Sequence, residues 1–239
     1  MGQISRSLIF FVILFLANVI QAITGFAGTL LAMPFSIRLL GAEEAKTLLN
    51  LFTMLACLGV AVQGRRHIRW GELGKILLGM SLGMAAGIWA YRAFPLGILL
   101  KGYGLLIIAV TVRNMVRPGG ARIPAPVMWL VLFLAGVIHG MFVSGGALLV
   151  IYAAVKLPDK DEFRATVASV WVALNGFLAF SYGWEGSYTP QTLWMLALGL
   201  VPLVLALWTG ARLYSRVDQI RFTKLNNILL LLSGASALF

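Results

Sequence analysis

Charged residues cut the chain into uncharged, strongly apolar stretches at 7–37, 47–64, 76–91, 123–155, 165–184, 186–211 and 225–239. Several match or exceed the ~20 apolar residues that carry a helix across a bilayer, and the period-2 alternation of a transmembrane barrel is absent. The pattern predicts an all-α polytopic membrane protein. Two stretches, 7–37 and 123–155, run for 31 and 33 residues. An unbroken helix of that length would overshoot the ~30 Å hydrocarbon core by about half again. Each contains a break, Gln21 to Gly28 in the first and His139 to Gly146 in the second. Glycine lets the backbone leave helical geometry there, and amide and hydroxyl side chains can partner the freed N–H and C=O groups. Two arrangements fit each broken element: a kinked, tilted crossing, or a re-entrant hairpin of two half-helices. Ordinary spans are expected at 43–63, 73–92, 96–113, 162–182, 190–211 and 222–239.

A shift of 118 residues lays Ile13–Leu31 on Val131–Leu149 with nine of nineteen positions identical, Gly28 falling on Gly146 and Gln21 on His139. Apolar composition alone would give about two identities, so the chain reads as an internal repeat. The same shift places Glu44 on Glu162 and Lys46 on Arg164. The expected organisation is a single integral membrane domain of two repeats, 1–117 and 118–239, meeting at the breaker-rich Arg117 to Gly120.

Composition agrees and adds topology. Of 239 residues, 60% are hydrophobic and 11% charged, against about 25% charged in a soluble domain. The net charge of +11 does not indicate a nucleic-acid partner, because the basic residues sit singly or in small groups between apolar runs. They serve instead to orient the chain. If both broken elements re-enter, fourteen of the nineteen basic residues fall on the cytoplasmic side and five outside. Two single crossings give only an 8 to 11 split. The positive-inside rule therefore favours re-entrant hairpins, which with three crossings per half make the repeats inverted, a plan of secondary transporters with the site near the midplane. Cys57 reads as a small packing residue. The first apolar stretch reads as mature protein rather than a removed signal segment.

A half-helix beginning inside the membrane offers unpaired amides and the positive end of its dipole, which suits an anion. The candidate cradles are Gly25 to Thr29, with Gly28, and Ser144 to Ala147, with Gly145 and Gly146. Asn18, Gln21, Thr24 and His139 lie around them. Close helix packing for the glycines and back-bonding for Thr24 and Ser144 are the competing readings. His139 fits either a proton relay or a hydrogen-bonded neutral ring. Lys46 and Arg164 open the span after each break, as cations at the mouths of a pathway or as snorkelling helix ends. Asp161 and Glu162 are placed to hold Arg164. Asn50, Thr53, Ser169 and Asn175 face a shared cavity or neighbouring helices. Trp70, Trp129, Trp184 and Trp194 read as interfacial belt residues, and Trp171 lies deeper, for packing or for stacking on a ligand. No H-E-x-x-H, G-x-S-x-G or P-loop pattern occurs, so no enzyme, metal or cofactor is expected, and transport would draw on a gradient, with a proton or sodium ion as coupling partner.

The segment Gly25-Phe-Ala-Gly-Thr-Leu-Leu-Ala-Met-Pro34, the second-half Gly140-Met-Phe-Val-Ser-Gly-Gly-Ala-Leu-Leu149 and the following Phe163-Arg-Ala-Thr166 resemble the TauE/SafE family of sulfite and organosulfonate exporters. The likeness spans nearly the whole chain. It implies movement of small sulfur-containing anions through the inner membrane without a bound cofactor. The expected function is a secondary transporter working by alternating access, with Gln21, Thr24, Gly25, Gly28, Thr29, Asn50, His139, Ser144, Gly145, Gly146, Arg164 and Trp171 as substrate-binding residues. A non-transporting membrane scaffold or assembly factor, and an anion channel, are the alternatives.

Overall fold

The computed structural model describes residues 3–116 and 124–214, with isolated positions from 228 onward. The expected linker at Arg117 to Gly120 and most of the expected span at 222–239 lie outside the described residues. Within them the chain is helical, without strands: α1 (Gln3–Thr24), α2 (Gly28–Leu40), α3 (Ala42–Gln63), α4 (Trp70–Ala93), α5 (Leu96–Val116), α6 (Ala125–Phe142), α7 (Gly146–Lys156), α8 (Lys160–Trp184) and α9 (Pro190–Tyr214), with a 3₁₀ turn at Arg65–His67. Seven of these helices, all but α2 and α7, are long and apolar enough to cross a membrane.

The breaks fall where the glycines put them. Thr24 ends α1 and Phe142 ends α6; α2 opens at Gly28 and α7 at Gly146. Gly25 turns the first break with φ +82°, and Val143, 118 residues later, turns the second with φ +53°. A β-branched residue in the left-handed region costs on the order of 1–3 kcal/mol, so tertiary contacts must hold Val143 there. The arms flanking each break are unequal. α1 and α6 have 22 and 18 residues, about 33 and 27 Å, while α2 and α7 have 13 and 11, about 20 and 17 Å. The longer arms include turns outside the stretches that charge alone delimits for the first element, since α1 starts at Gln3, before Arg6.

Side-chain contacts give the helix directions. Gly79 of α4 packs on Leu132 of α6, and Gly140 of α6 packs between Met84 and Ile88 of α4, so these helices run parallel. α7 then doubles back, because the Tyr152 hydroxyl donates to Glu72 Oε2 in the first turn of α4 (2.7 Å). α8 starts at that same face, where Arg69 meets both Glu162 and the Thr166 hydroxyl, and ends at the opposite face, where Glu185 meets Arg92. α1 runs beside α9 and α2 packs between α1 and α3; Phe10 and Gly199 both meet Phe52, while Ala22 meets Gly210. The helix pairs α1·α9, α2·α3 and α3·α9 thus have counterparts in α6·α4, α7·α8 and α8·α4.

Small residues permit these crossings. A Cβ added to Gly83 or Gly87 would collide with the α6 backbone at Phe133 and Val137, and one added to Gly136 with the α4 backbone at Met80. Without a hydrophobic drive between helices in lipid, such close backbone approach and its dispersion contacts supply the association. The outer surface is apolar in the way a lipid-facing surface must be. Trp70, Trp129, Trp184 and Trp194, the expected belt residues, are exposed, as are Leu78, Leu82, Leu198 and Val201. The polar residues Asn18, Gln21, Asn50, His139 and Asn175 are buried instead.

Candidate functional site

At the first break the chain closes its own polar groups. Gln21 reaches forward from the last turn of α1, and its Oε1 accepts the Gly28 N–H (2.7 Å). Its Nε2 donates to Gly25 O and to Cys57 Sγ, both at 3.2 Å. The Thr24 hydroxyl donates to Ile20 O and accepts from the amides of Phe26 and Ala27. The first amides of the expected cradle at Gly25 to Thr29 are therefore occupied by side chains from α1. Cys57 is more than filler, since it is a partner of Gln21. Thr29 is buried beside them, and Asn18 bonds back to Leu14 O on its own helix.

The second break is different. His139 takes the position of Gln21 and is 1% exposed. Asn175, at the repeat position of Cys57, lies within hydrogen-bond reach of the ring, and neither side chain has any other partner. Asn50 Nδ2 donates to Asn175 O across the α3–α8 contact (3.0 Å), leaving Asn50 Oδ1 unpartnered. No side chain caps α7, whose first closing bond runs from Leu149 N–H to Gly145 O. Ser144, expected to face a ligand, instead accepts the Tyr103 hydroxyl of α5 (2.6 Å). Gly145 and Gly146 serve close packing: the former lies against Ala135 and His139, the latter against the Phe26 backbone of the first break.

Trp171 ties the two breaks together. Its indole N–H donates to Gly25 O (3.0 Å), and its ring lies 5.0 Å from the His139 ring at 30°. Gln21, Thr24, Gly25, Gly28, Asn50, His139 and Trp171, with Cys57 and Asn175, thus form one continuous buried network. Ser169 does not join it, bonding to Ala165 O of its own helix. Thr53 is buried but has no recorded hydrogen bond.

A cavity of about 230 Å³ opens above this network at the end of the molecule where α3 begins and α4 and α8 finish. Lys46 lines it, 5% exposed, with Nζ 3.4 Å from the centroid of the Tyr91 ring and 3.6 Å from Glu43 Oε2. Tyr182 forms a second aromatic wall, and the Arg92–Glu185 pair stands at the rim. Gly140, Leu178 and Lys46 line the cavity, and each lies within about a helical turn of a member of the polar layer, His139, Asn175 and Asn50 respectively. The cation in the cavity is Lys46 and not Arg164. Arg164 lies at the other end of α8, beside Gly25 and over the Tyr214 ring (4.8 Å). Its expected restraint by Asp161 and Glu162 does not form: Glu162 engages Arg69, and the helix start is capped by Asp159, which accepts the amides of Asp161 and Glu162. Those two amides hold the Asp159 carboxyl below the ordinary carboxylate range. Tyr91, Tyr182 and Tyr103 are not marked by the sequence: Tyr91 and Tyr182 stand at the ends of the expected spans 73–92 and 162–182, where a tyrosine reads as interfacial, and only Tyr103 lies inside one.

The profile of the family described as sulfite exporter TauE/SafE matches residues 10–237. The chain is also 29% identical over 181 residues to a protein of Comamonas testosteroni named as a probable inner membrane transporter protein, TsaS, covering 72% of this chain and 73% of that protein. No solved structure matches the chain.

Proposed function

This chain belongs to the TauE/SafE sulfite exporter family and is a multi-pass inner-membrane transporter, and on that premise we propose that it exports a small sulfur-containing anion by alternating access. Sulfite and organosulfonates are the cargo class, and a proton or sodium ion supplies the driving gradient. The observation that carries the reading is the Lys46 cavity, whose lining residues Lys46, Gly140 and Leu178 stand within about a helical turn of Asn50, His139 and Asn175. A buried cation at the entry and uncharged donors beneath it draw an anion inward without trapping it as an ion pair.

Residues 1–117 and 118–239 act as inverted repeats whose re-entrant hairpins, α1–α2 and α6–α7, enter from opposite faces and meet tip to tip. The matched helix pairs, the left-handed residues spaced by 118 and the contact between Phe26 and Gly146 support this. The Lys46 end, poor in basic residues, is the outer face, and the Arg65 to Arg69 end is cytoplasmic. Rocking of one repeat against the other closes the Lys46 cavity and opens the Arg164 end. Purified protein in liposomes, loaded with sulfite, ethanesulfonate or sulfoacetate and given a proton or sodium gradient, is expected to release the anion only when the gradient is present. No flux of any of them would refute the cargo class, and flux as fast without a gradient would indicate a channel.

A further inference from the structure

The two breaks share a backbone plan but not a chemistry. Gln21 and His139 occupy the same place, as do Cys57 and Asn175. At the first break every polar atom of the Gln21 side chain is used, and its carboxamide oxygen takes the Gly28 amide that would otherwise face a ligand. At the second, His139 and Asn175 face only each other and no other group bonds to either side chain, while Asn50 Oδ1 has no partner. All three residues are nearly or wholly buried, at 1%, 0% and 0% exposure. A buried polar group without a partner destabilises by about 1–3 kcal/mol, so this concentration marks a place completed by something the chain does not provide. It adjoins the uncapped start of α7, an 11-residue helix.

We propose that the chain binds one anion rather than two, at the start of α7 between His139, Asn175 and Asn50, and that Gln21 fills the corresponding place at α2 as a built-in ligand. The proposal rests on the anion-transport reading and narrows its site. The charge of the cargo follows from the same residues. Neither Asp, Glu, Lys nor Arg sits in this layer; Lys46 stands a turn away on the cavity side, and Arg164 lies beside Gly25. A helix start equivalent to about half a positive charge, together with neutral donors, compensates a singly charged oxyanion better than a doubly charged one. Asn50 Oδ1 and Asn175 Oδ1 are acceptors, and so suit an anion that carries a proton or hydroxyl of its own. Hydrogen sulfite meets both conditions, an alkanesulfonate meets the charge condition alone, and sulfate, doubly charged and without a proton at neutral pH, meets neither.

His139→Gln supplies the test, because it writes into the second repeat the cap already present in the first. The detergent-purified full chain is titrated calorimetrically with sulfite, ethanesulfonate and sulfate, and its melting temperature is read with and without each anion. The unaltered chain is expected to bind sulfite or ethanesulfonate at one equivalent, at least tenfold tighter than sulfate. His139→Gln is expected to melt no lower than the unaltered chain, yet to lose at least tenfold in affinity along with the anion-induced rise in melting temperature. Asn175→Leu, which removes the neighbour of His139 without building a cap, is expected to lose affinity to a similar degree. Affinity kept within threefold in a folded His139→Gln, a stoichiometry of two, or sulfate bound as tightly as ethanesulfonate would each overturn the proposal while leaving anion transport standing. No binding of any anion by the unaltered chain would bring down the transport reading and this site together.

Discussion

Lys46 is held by two partners that differ in kind. Its ammonium rests on the Tyr91 ring at 3.4 Å and pairs with the exposed Glu43 carboxylate at 3.6 Å. A cation over an aromatic face is stabilised by roughly 0.5–2 kcal/mol, enough to position it but not enough to hold it against an anion. One helical turn, about 5.4 Å of rise, separates Lys46 from Asn50 on α3, so its charge acts on an anion that approaches the polar layer through the cavity, less where cavity water screens it. Lys46→Gln is therefore expected to raise the KM for anion flux about tenfold or more, with melting temperature little changed. Lys46→Arg, which keeps the charge, is expected to recover most of the loss. Equal KM values in all three proteins would remove Lys46 from the pathway. The sequence marks Lys46 through its equivalence to Arg164 but favours Arg164 as the substrate-binding cation, whereas it is Lys46 that lines the cavity. What separates them is Tyr91 and Tyr182, which come from α4 and α8, and contacts at that range leave no trace in local periodicity.

The elements themselves were largely legible, and the reason is the glycine. Uncharged run lengths gave the spans, and the expected breaks at Gln21 to Gly28 and His139 to Gly146 contain the observed helix ends at Thr24, Gly28, Phe142 and Gly146. The extension of α1 back to Gln3 was not legible, because charge bounds a stretch but says nothing about how far into the polar flank a helix continues. Nor was the capping of α2 by Gln21, which reaches seven residues along the chain and reads in sequence as one more polar flank. The glycines of α4 show a finer distinction that only packing reveals. Gly83 lies against the α6 backbone at Phe133 and Val137, whereas Gly74, on the same helix, has nothing within 4 Å of an added Cβ. Gly83→Val is expected to force α4 and α6 apart and cost more than about 3 kcal/mol, since neither backbone can yield cheaply. Gly74→Ala is expected to be neutral or to stabilise by up to about 1 kcal/mol through helix propensity alone. Thermal unfolding of the two variants in detergent separates the cases, and comparable melting temperatures would show that α4–α6 contact is not close-packed.

At the scale of the whole molecule the question is which ends share a face, and the contacts and the charge count answer it independently. Tyr152 meeting Glu72 and Arg69 meeting Glu162 bring the end of α7 and the start of α8 to the same end as the 3₁₀ turn at Arg65–His67. The start of α3 lies at the other end, with Glu185 and Arg92. If both broken elements re-enter, Ser5, Ala42 and Gln191 lie on one face of the membrane, and His67, Pro124 and Pro158 on the other. Each of these positions is at least partly exposed, while the native Cys57 is buried and serves as an internal blank. Single cysteines placed at the six positions are expected to sort accordingly with a membrane-impermeant maleimide applied to intact cells. Ser5→Cys, Ala42→Cys and Gln191→Cys should react from outside; His67→Cys, Pro124→Cys and Pro158→Cys should react only after the membrane is opened. The decisive pairs flank the hairpins, because a kinked crossing would put Ser5 opposite Ala42 and Pro124 opposite Pro158. Labelling of one member of either pair without the other would turn that hairpin into a crossing. With it would go the inversion of the repeats, since an even number of crossings per half leaves both halves facing the same way.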